Sequence, residues 1–387
     1  MKHELFWKNP GYKVRSSLSK AITCKYLIVG GGITGVATAH YLQKLGASGV
    51  VLIEKSDVAS GATGKAAGTL VTRGESDLVG LLKTHGRSAG ERYWREIRNS
   101  MNELISLIKT EKIDCDAEPQ DTLYCGATRW NHSFLQQEYL AEKHLEYTTQ
   151  FLYKEKFQKE LNTPHFKHGF LSAGHGLSVN PLKFTQNFST AIEKKGVKIY
   201  ENTPLLDYDN GVAQTPGGTI EYKKLVLAID ADNTDQSVKT QKSSIIITKP
   251  VSEDNLKRTG MHRRKIVFDS HDKYEYFKVT RDSRFLFGFG TLLVRKKHRP
   301  KTPHIPHLDN IQKFMKTLFP YLKLIPEYAW SGTFGVTSNY EPHFIFKKDI
   351  VEMAGAGSQV TCFMAAKHIA HCLLKKKSSV SEFFPNP

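Results

Sequence analysis

A run of β-formers meets three consecutive glycines at KYLIVGGG, residues 25–32, and the chain then enters ITGVATAHYLQKLG, which has helical spacing and ends at Gly46. Gly30, Gly32 and Gly35 therefore make G-x-G-x-x-G at a strand-to-helix turn, and that placement restricts the fold more than any other feature of the chain. The first glycine allows the tight turn, the second lets a phosphate approach the backbone, and the third lets the helix lie close against the strand. Ala39 extends the same small-residue surface. GVVLIE, residues 49–54, supplies a second strand and completes a βαβ unit. The N–H groups that open the helix have no intrahelical acceptor, so the turn is a ready site for a pyrophosphate. Glu54, about 20 residues on, is placed to accept hydrogen bonds from ribose hydroxyls, and its charge repels a 2′-phosphate. The unit predicts a bound dinucleotide. KSDVASGATGKAAGTLVTRG, residues 55–74, adds small residues that let the backbone run along a flat or anionic ligand, more than a bare nicotinamide fold needs.

Two further segments carry α/β signals. Residues 196–230 read as short alternating strands with a Gly217-Gly218 turn and a closing apolar strand over 225–229. Residues 328–375 lead through DIVEMAGAG into the amphipathic VTCFMAAKHIAHCLLKK. Between these lie residues 81–113, with apolar residues at helical spacing, and residues 244–294, rich in β-formers separated by polar turns. The expected class is α/β: a Rossmann-like nucleotide-binding domain assembled from discontinuous segments, with an inserted α+β substrate domain on a mainly antiparallel sheet. The boundaries read as an N-terminal arm at 1–19, the nucleotide-binding domain at 20–88, 170–235 and 330–376, the substrate domain at 89–169 and 236–329, and a tail at 377–387.

With 387 residues, 40% of them hydrophobic, the chain can bury two such cores. Its net charge of +17 is compatible with an acidic ligand, nucleic acid, an anionic membrane surface or a lysine-rich proteome. The five cysteines, Cys24, Cys115, Cys125, Cys362 and Cys372, lack the spacing of a disulfide framework or zinc ribbon, which implies a reducing compartment. The N-terminus lacks a signal-peptide core, and no apolar run of about 18 residues is present, so a cytoplasmic location is expected.

Several motifs in order make the chain similar to the D-amino-acid-oxidase-type FAD-dependent oxidoreductases, which include glycine oxidase, sarcosine oxidase and D-amino-acid dehydrogenase. The arm ELFWKNP, then ASGATGKAAG at 59–68, resembles the γ-glutamylputrescine-oxidoreductase-like branch. IDCD at 113–116, VNPLKF at 179–184 and GVKIYENTP at 196–204 follow, and LVLAID at 225–230 resembles a strand that usually reads VVLATG. WSGTFGVTSNYEP at 330–342 and AGAGSQVT at 354–361 resemble the C-terminal signature and the flavin-facing loop.

The resemblance implies non-covalent FAD, since the signature contains no cysteine. Gly30, Gly32, Ile33, Thr34, Gly35, Glu54 and Lys55 would hold its ADP half. Ser60, Gly61, Ala62, Thr63, Lys65, Ala66, Ala67 and Gly68 would follow the pyrophosphate towards the flavin. Pro204, Leu205 and Ala228 would lie near the nucleotide, and Gly332, Gly355, Gly357, Ser358, Gln359, Val360 and Thr361 near the flavin, where a helix N-terminus suits the charge of the reduced ring. Leu286 stands where sarcosine-oxidase-like members place a lysine, which leaves oxygen and a respiratory or quinone acceptor both open.

The implied reaction oxidises the C–N bond of an amino acid or related amine to an imine by hydride transfer to flavin. The alternatives are an acidic hydroxy substrate, such as a 2-hydroxy acid or glycerol phosphate, and a non-catalytic flavin-binding relative. A substrate carboxylate needs a cation and hydroxyls. DKYEYFKVTRDSRFLFG, residues 272–288, offers Tyr274, Tyr276, Lys278 and Arg281, with the first three on one strand face; packed tyrosines and solvated cations are the plain alternative. His343 is a candidate for proton handling and Arg73 for reaching substrate or flavin. His165, His168 and His175, like His368, His371 and Cys372, lack a fourth ligand, so no metal is expected. No nucleophile elbow is present. The basic runs at 262–265 and 295–301 rest on charge alone, so nucleic acid is not an expected partner, while peripheral membrane contact stays open.

Overall fold

The computed structural model describes residues 1–73, 76–233, 235, 237–270, 275–293 and 305–384, and of residues 291–293 only the strand. Tyr274 and the basic run at 295–301 lie outside the described residues.

Short, fully buried strands such as Val50–Ile53 form where apolar β-branched residues must be covered on both faces. They assemble a six-stranded sheet in the order His343–Lys347, Ile350–Ala354, Lys224–Leu227, Tyr26–Val29, Val50–Ile53, Lys198–Tyr200. Only the first pair is antiparallel. Ile28 and Leu52 point to one face, under the helices Ile33–Lys44, Pro181–Glu193 and Gln359–Leu373. Leu27, Val29, Val51 and Ile53 point to the other, under a four-stranded sheet that includes the hairpin Val212–Thr215 and Gly218–Glu221. The three separated sequence segments thus meet in one doubly covered sheet.

The helix Arg87–Thr110 departs from the expected boundaries. Its stripe of Trp94, Ile97, Met101, Leu104 and Ile108 is buried in the same cluster as Ile28, Val36 and Phe363. It belongs with the nucleotide-binding sheet because that is the apolar surface its stripe meets, whereas the sequence reading grouped it with the substrate domain.

The second sheet runs Pro326–Val336, Lys239–Pro250, Arg284–Leu293, Tyr276–Val279, Lys265–Asp269, Glu118–Gly126, His168–Ser178, Thr69–Val71, with Thr149–Tyr153 also paired to His168–Ser178. Every pair is antiparallel except Lys265–Asp269 with Glu118–Gly126. Strands Thr69–Val71, His168–Ser178 and Pro326–Val336 lie in or end in stretches the sequence reading gave to the nucleotide-binding domain, so the chain crosses between sheets there. Alternation sends Phe277, Phe285 and Phe287 to an outer core with Phe314 of the helix Leu308–Leu318. Tyr276, Leu286, Ile245, Ile247 and Trp330 face the other way, into a cluster with Trp7 of the N-terminal arm and Ala67. The cavity described below opens on this inner side. No described helix is long and apolar enough to cross a membrane.

If the helix Arg87–Thr110 is part of the nucleotide-binding core, Leu104→Ala should lower unfolding free energy by about 3 kcal/mol, within the range for buried leucines. Exposed Asn102→Ala on the same helix should change it by less than about 0.5 kcal/mol. Urea unfolding of both variants checks this.

Candidate active site

Gly35 fixes the first wall. A Cβ there would lie 1.9 Å from the Gly30 carbonyl oxygen, so only glycine lets the helix Ile33–Lys44 sit this close to the strand before it. The helix begins at Gly32 without a side-chain cap, and Ile33 N–H donates to Thr63 Oγ1 at 3.1 Å, which ties the following loop to the turn. Glu54 is buried, with Oε2 accepting from Gly31 N–H at 2.7 Å and Oε1 from Ser56 N–H at 3.0 Å. Each oxygen keeps a second lone pair for a ligand hydroxyl.

This turn opens one end of a cavity of about 1220 Å³ between the two sheets. That exceeds the roughly 300–1000 Å³ of ordinary small-ligand sites, as a dinucleotide with a substrate requires. Of the expected residues, Gly30, Gly32, Ile33, Thr34, Glu54, Lys55, Ser60, Gly61, Ala62, Thr63, Lys65, Ala66, Ala67, Pro204, Leu205, Ala228, Tyr276, Gly332, Gly357, Ser358 and Gln359 line it. Gly35, Gly68, Gly355, Val360 and Thr361 stand behind that lining.

Three expected catalytic residues are elsewhere. Lys278 faces the inner side with Tyr276 but is fully buried, donating to the Gly68 carbonyl at 2.6 Å and Ser178 Oγ at 2.8 Å. Burial pushes its ammonium down to about 7. Arg281 is exposed in the turn after the strand Tyr276–Val279, because the chain has already left the sheet. His343 pairs with Asp235 at 2.8 Å, away from the lining. Of the histidines weighed as metal ligands, His165 packs on Phe314, His168 on His132 and His175 on Tyr147, while His368 Nε2 lies 3.4 Å from Cys372 Sγ.

The wall opposite the nucleotide turn holds the expected Tyr276 and Arg73 together with Phe268, which the sequence reading did not single out. Tyr276 lies over Gly288 of the neighbouring strand, and Phe268 stacks on Tyr124 at 5.3 Å. Arg73 lies over Tyr124, 4.0 Å from its centroid, and pairs with fully buried Glu138. Burial opposes the charge on Arg73 most, but Glu138, Tyr124, Glu142 and Asp77 together outweigh it and the guanidinium is held more basic than usual. Its Nε has no hydrogen-bond partner among the described residues. Asp230, at φ +47°, accepts from Gly335 N–H at 3.1 Å and joins the end of the strand Lys224–Leu227 to the strand Pro326–Val336. Burial raises its carboxyl to about 6. The departure of LVLAID from VVLATG was its only sequence signal.

The donor set fits FAD. The uncapped helix starts at Gly32 and Ser358 both border the cavity, complementing a pyrophosphate and an electron-rich ring. Two buried amide oxygens of lining residues, Gln241 Oε1 and Gln359 Oε1, lack donors among the described residues and suit N–H groups of a ligand.

The profile of the DAO family, FAD dependent oxidoreductases, matches residues 25–372. The chain belongs to this family of FAD-dependent enzymes. It is 25% identical to γ-glutamylputrescine oxidoreductase of Escherichia coli K12, over 97% of this chain and 89% of that one. Among solved structures, glycine oxidase from Geobacillus kaustophilus superposes with a TM-score of 0.75 at 19% identity, covering 94% of this chain and 98% of that one. L-Amino acid deaminase from Proteus myxofaciens also gives 0.75, at 17% identity, covering 100% and 99%. These likenesses establish the DAO-type fold anticipated from the motifs.

Gly35→Ala should therefore raise the dissociation constant for FAD by roughly 100-fold or more, the equivalent of about 3 kcal/mol. Titration of the apoprotein by flavin fluorescence checks this, with far-ultraviolet circular dichroism showing that the fold persists.

Proposed function

We propose that the chain oxidises the C–N bond of an amino acid or a related amine bearing a carboxylate. The observation that carries this reading is Arg73, a fixed guanidinium whose Nε has no hydrogen-bond partner among the described residues, on the wall of the cavity whose other end is the nucleotide turn. Glu138 and Tyr124 hold it without using all five of its donors. A substrate carboxylate is the complementary group. The names of the E. coli relative and of the two superposed structures, all enzymes of amines or amino acids, support the same class.

When bound, FAD supplies the two-electron acceptor for the hydride. The protein has to orient one C–H bond and present an uncharged amine. Arg73 would anchor the carboxylate, Tyr276 and Phe268 would exclude water, and Gln241 and Ser243 would offer polar contacts along the same wall. As the C–H electron pair leaves as hydride, nitrogen loses a proton and C=N forms. Water then hydrolyses the imine to a carbonyl compound and an amine or ammonia.

Anaerobic mixing with glycine, sarcosine, D- and L-amino acids, polyamines, 2-hydroxy acids and glycerol phosphate tests the reading. The flavin band should bleach with a carboxylate-bearing amine. Bleaching by hydroxy compounds alone would assign C–O oxidation, and no bleaching by any compound would favour a non-catalytic relative. Readmitting oxygen or a quinone then identifies the acceptor. For the responsive amine, Arg73→Met with Glu138→Gln, which removes both members of the ion pair, should raise KM roughly 30-fold with kcat little changed in steady-state assays.

A further inference from the structure

The cavity-lining segment Lys65–Ala67 has a second side. The indole N–H of Trp330 donates to the Lys65 carbonyl at 2.8 Å, and that of Trp7 to the Ala66 carbonyl at 2.9 Å. Lys278 donates to the next turned carbonyl, that of Gly68, which also accepts from Val179 N–H at 2.9 Å. Trp7 and Trp330 are 5% and 4% exposed and meet edge to face with centroids 6.1 Å apart. None of the three donors lines the cavity. They lie on the far side of the segment from it.

We propose that Trp7, Trp330 and Lys278 form a clamp that sets the orientation of the cofactor-facing backbone, making the N-terminal arm a working part of the FAD site. This rests on the FAD assignment. In a planar trans peptide the carbonyl and the following N–H point in opposite directions. Holding the Ala66 carbonyl towards Trp7 turns Ala67 N–H towards the cavity. Ala66 N–H is already taken by the Thr63 carbonyl at 3.3 Å, so Ala67 is the amide the clamp presents. Gly68 cannot relieve the arrangement, because it sits at φ +67° with a Cβ position 2.0 Å from the Val179 carbonyl oxygen.

The arm is tied on both sides of this point. Lys2 pairs with the edge of the larger sheet, donating to the Glu327 carbonyl at 2.7 Å and accepting from Ala329 N–H at 2.9 Å. At the other end, Tyr12 OH donates to Glu201 Oε1 at 2.6 Å and Arg15 N–H to Glu201 Oε2 at 2.7 Å. Glu201 also accepts from Val58 N–H at 2.5 Å, just ahead of the cofactor loop. The strap crosses the back of the FAD segment from one sheet to the other.

Trp7→Phe and Trp330→Phe keep an aromatic ring but remove the donor together with part of the indole's volume, a loss of volume that a buried tryptophan without a donor role shares. Each should raise the FAD dissociation constant of the apoprotein about 5-fold, and the pair roughly 25-fold, with a shifted visible spectrum of the bound flavin. Trp94→Phe is the control, since Trp94 is fully buried but its indole N–H has no partner among the described residues. It should leave FAD affinity unchanged, and thermal unfolding of all the apoproteins reports any purely structural damage. Wild-type affinity in both Trp7→Phe and Trp330→Phe, or equal loss in Trp94→Phe, would overturn the clamp alone. A wild-type chain that takes up no FAD would overturn the cofactor assignment and the clamp with it.

Discussion

The contact between Gly35 and the Gly30 carbonyl decides where the rest of the cavity lies. It draws the helix Ile33–Lys44 onto its strand, and that helix supports Gln359–Leu373 on its flank through Tyr41 and Phe363, 5.1 Å apart. Two uncapped helix starts, far apart in sequence, therefore face one space. An anion at either start has unsatisfied N–H groups and a favourable dipole worth about 0.3–1 kcal/mol or more when partly buried. The site follows from backbone placement before any side chain is considered.

Buried carboxylates then join the discontinuous pieces. Glu54 binds the turn to its own loop, and Glu201 binds the N-terminal arm to Val58. Glu138 takes the N–H groups of Leu78 and Val79 at 3.2 and 2.7 Å as well as Arg73, and Asp230 takes Gly335. Each accepts from a segment other than its own, which is what a sheet built from separated stretches of chain needs. Truncating one would leave several buried donors unpaired, a cost of roughly 1–3 kcal/mol for each.

The legible parts of this protein were those where a local pattern has one physical solution. A strand, three glycines and a helix leave little choice, and the short strands around Gly217-Gly218 form as read. The arm of helix Arg87–Thr110 shows the limit: its apolar stripe was plain, but a stripe does not name its partner, and the nucleotide lobe supplied it. Lys278 shows another limit. Period-two alternation placed it correctly with Tyr276, yet alternation gives the face and not the depth, and the ammonium ends beneath the cofactor segment. Arg281 lies three residues further, where the hairpin turn breaks the alternation altogether.

That difference in depth also sorts the cations. Among the described residues, Lys55, Lys65 and Arg73 line the cavity. Lys55 is paired with Asp232 beside the nucleotide turn, and Lys65, whose own carbonyl accepts from Trp330, lies on the segment between the sheets. Arg73 alone of these lies on the aromatic wall with Tyr276 and Phe268, and it is the least free to move, stacked on Tyr124 and paired with Glu138. A guanidinium ordered in advance loses little side-chain entropy when a carboxylate arrives. A flexible lysine at the same place would have to be ordered by the substrate itself. On the proposed reading two jobs fall to two residue types: the buried lysine holds backbone, and the stacked arginine meets the ligand.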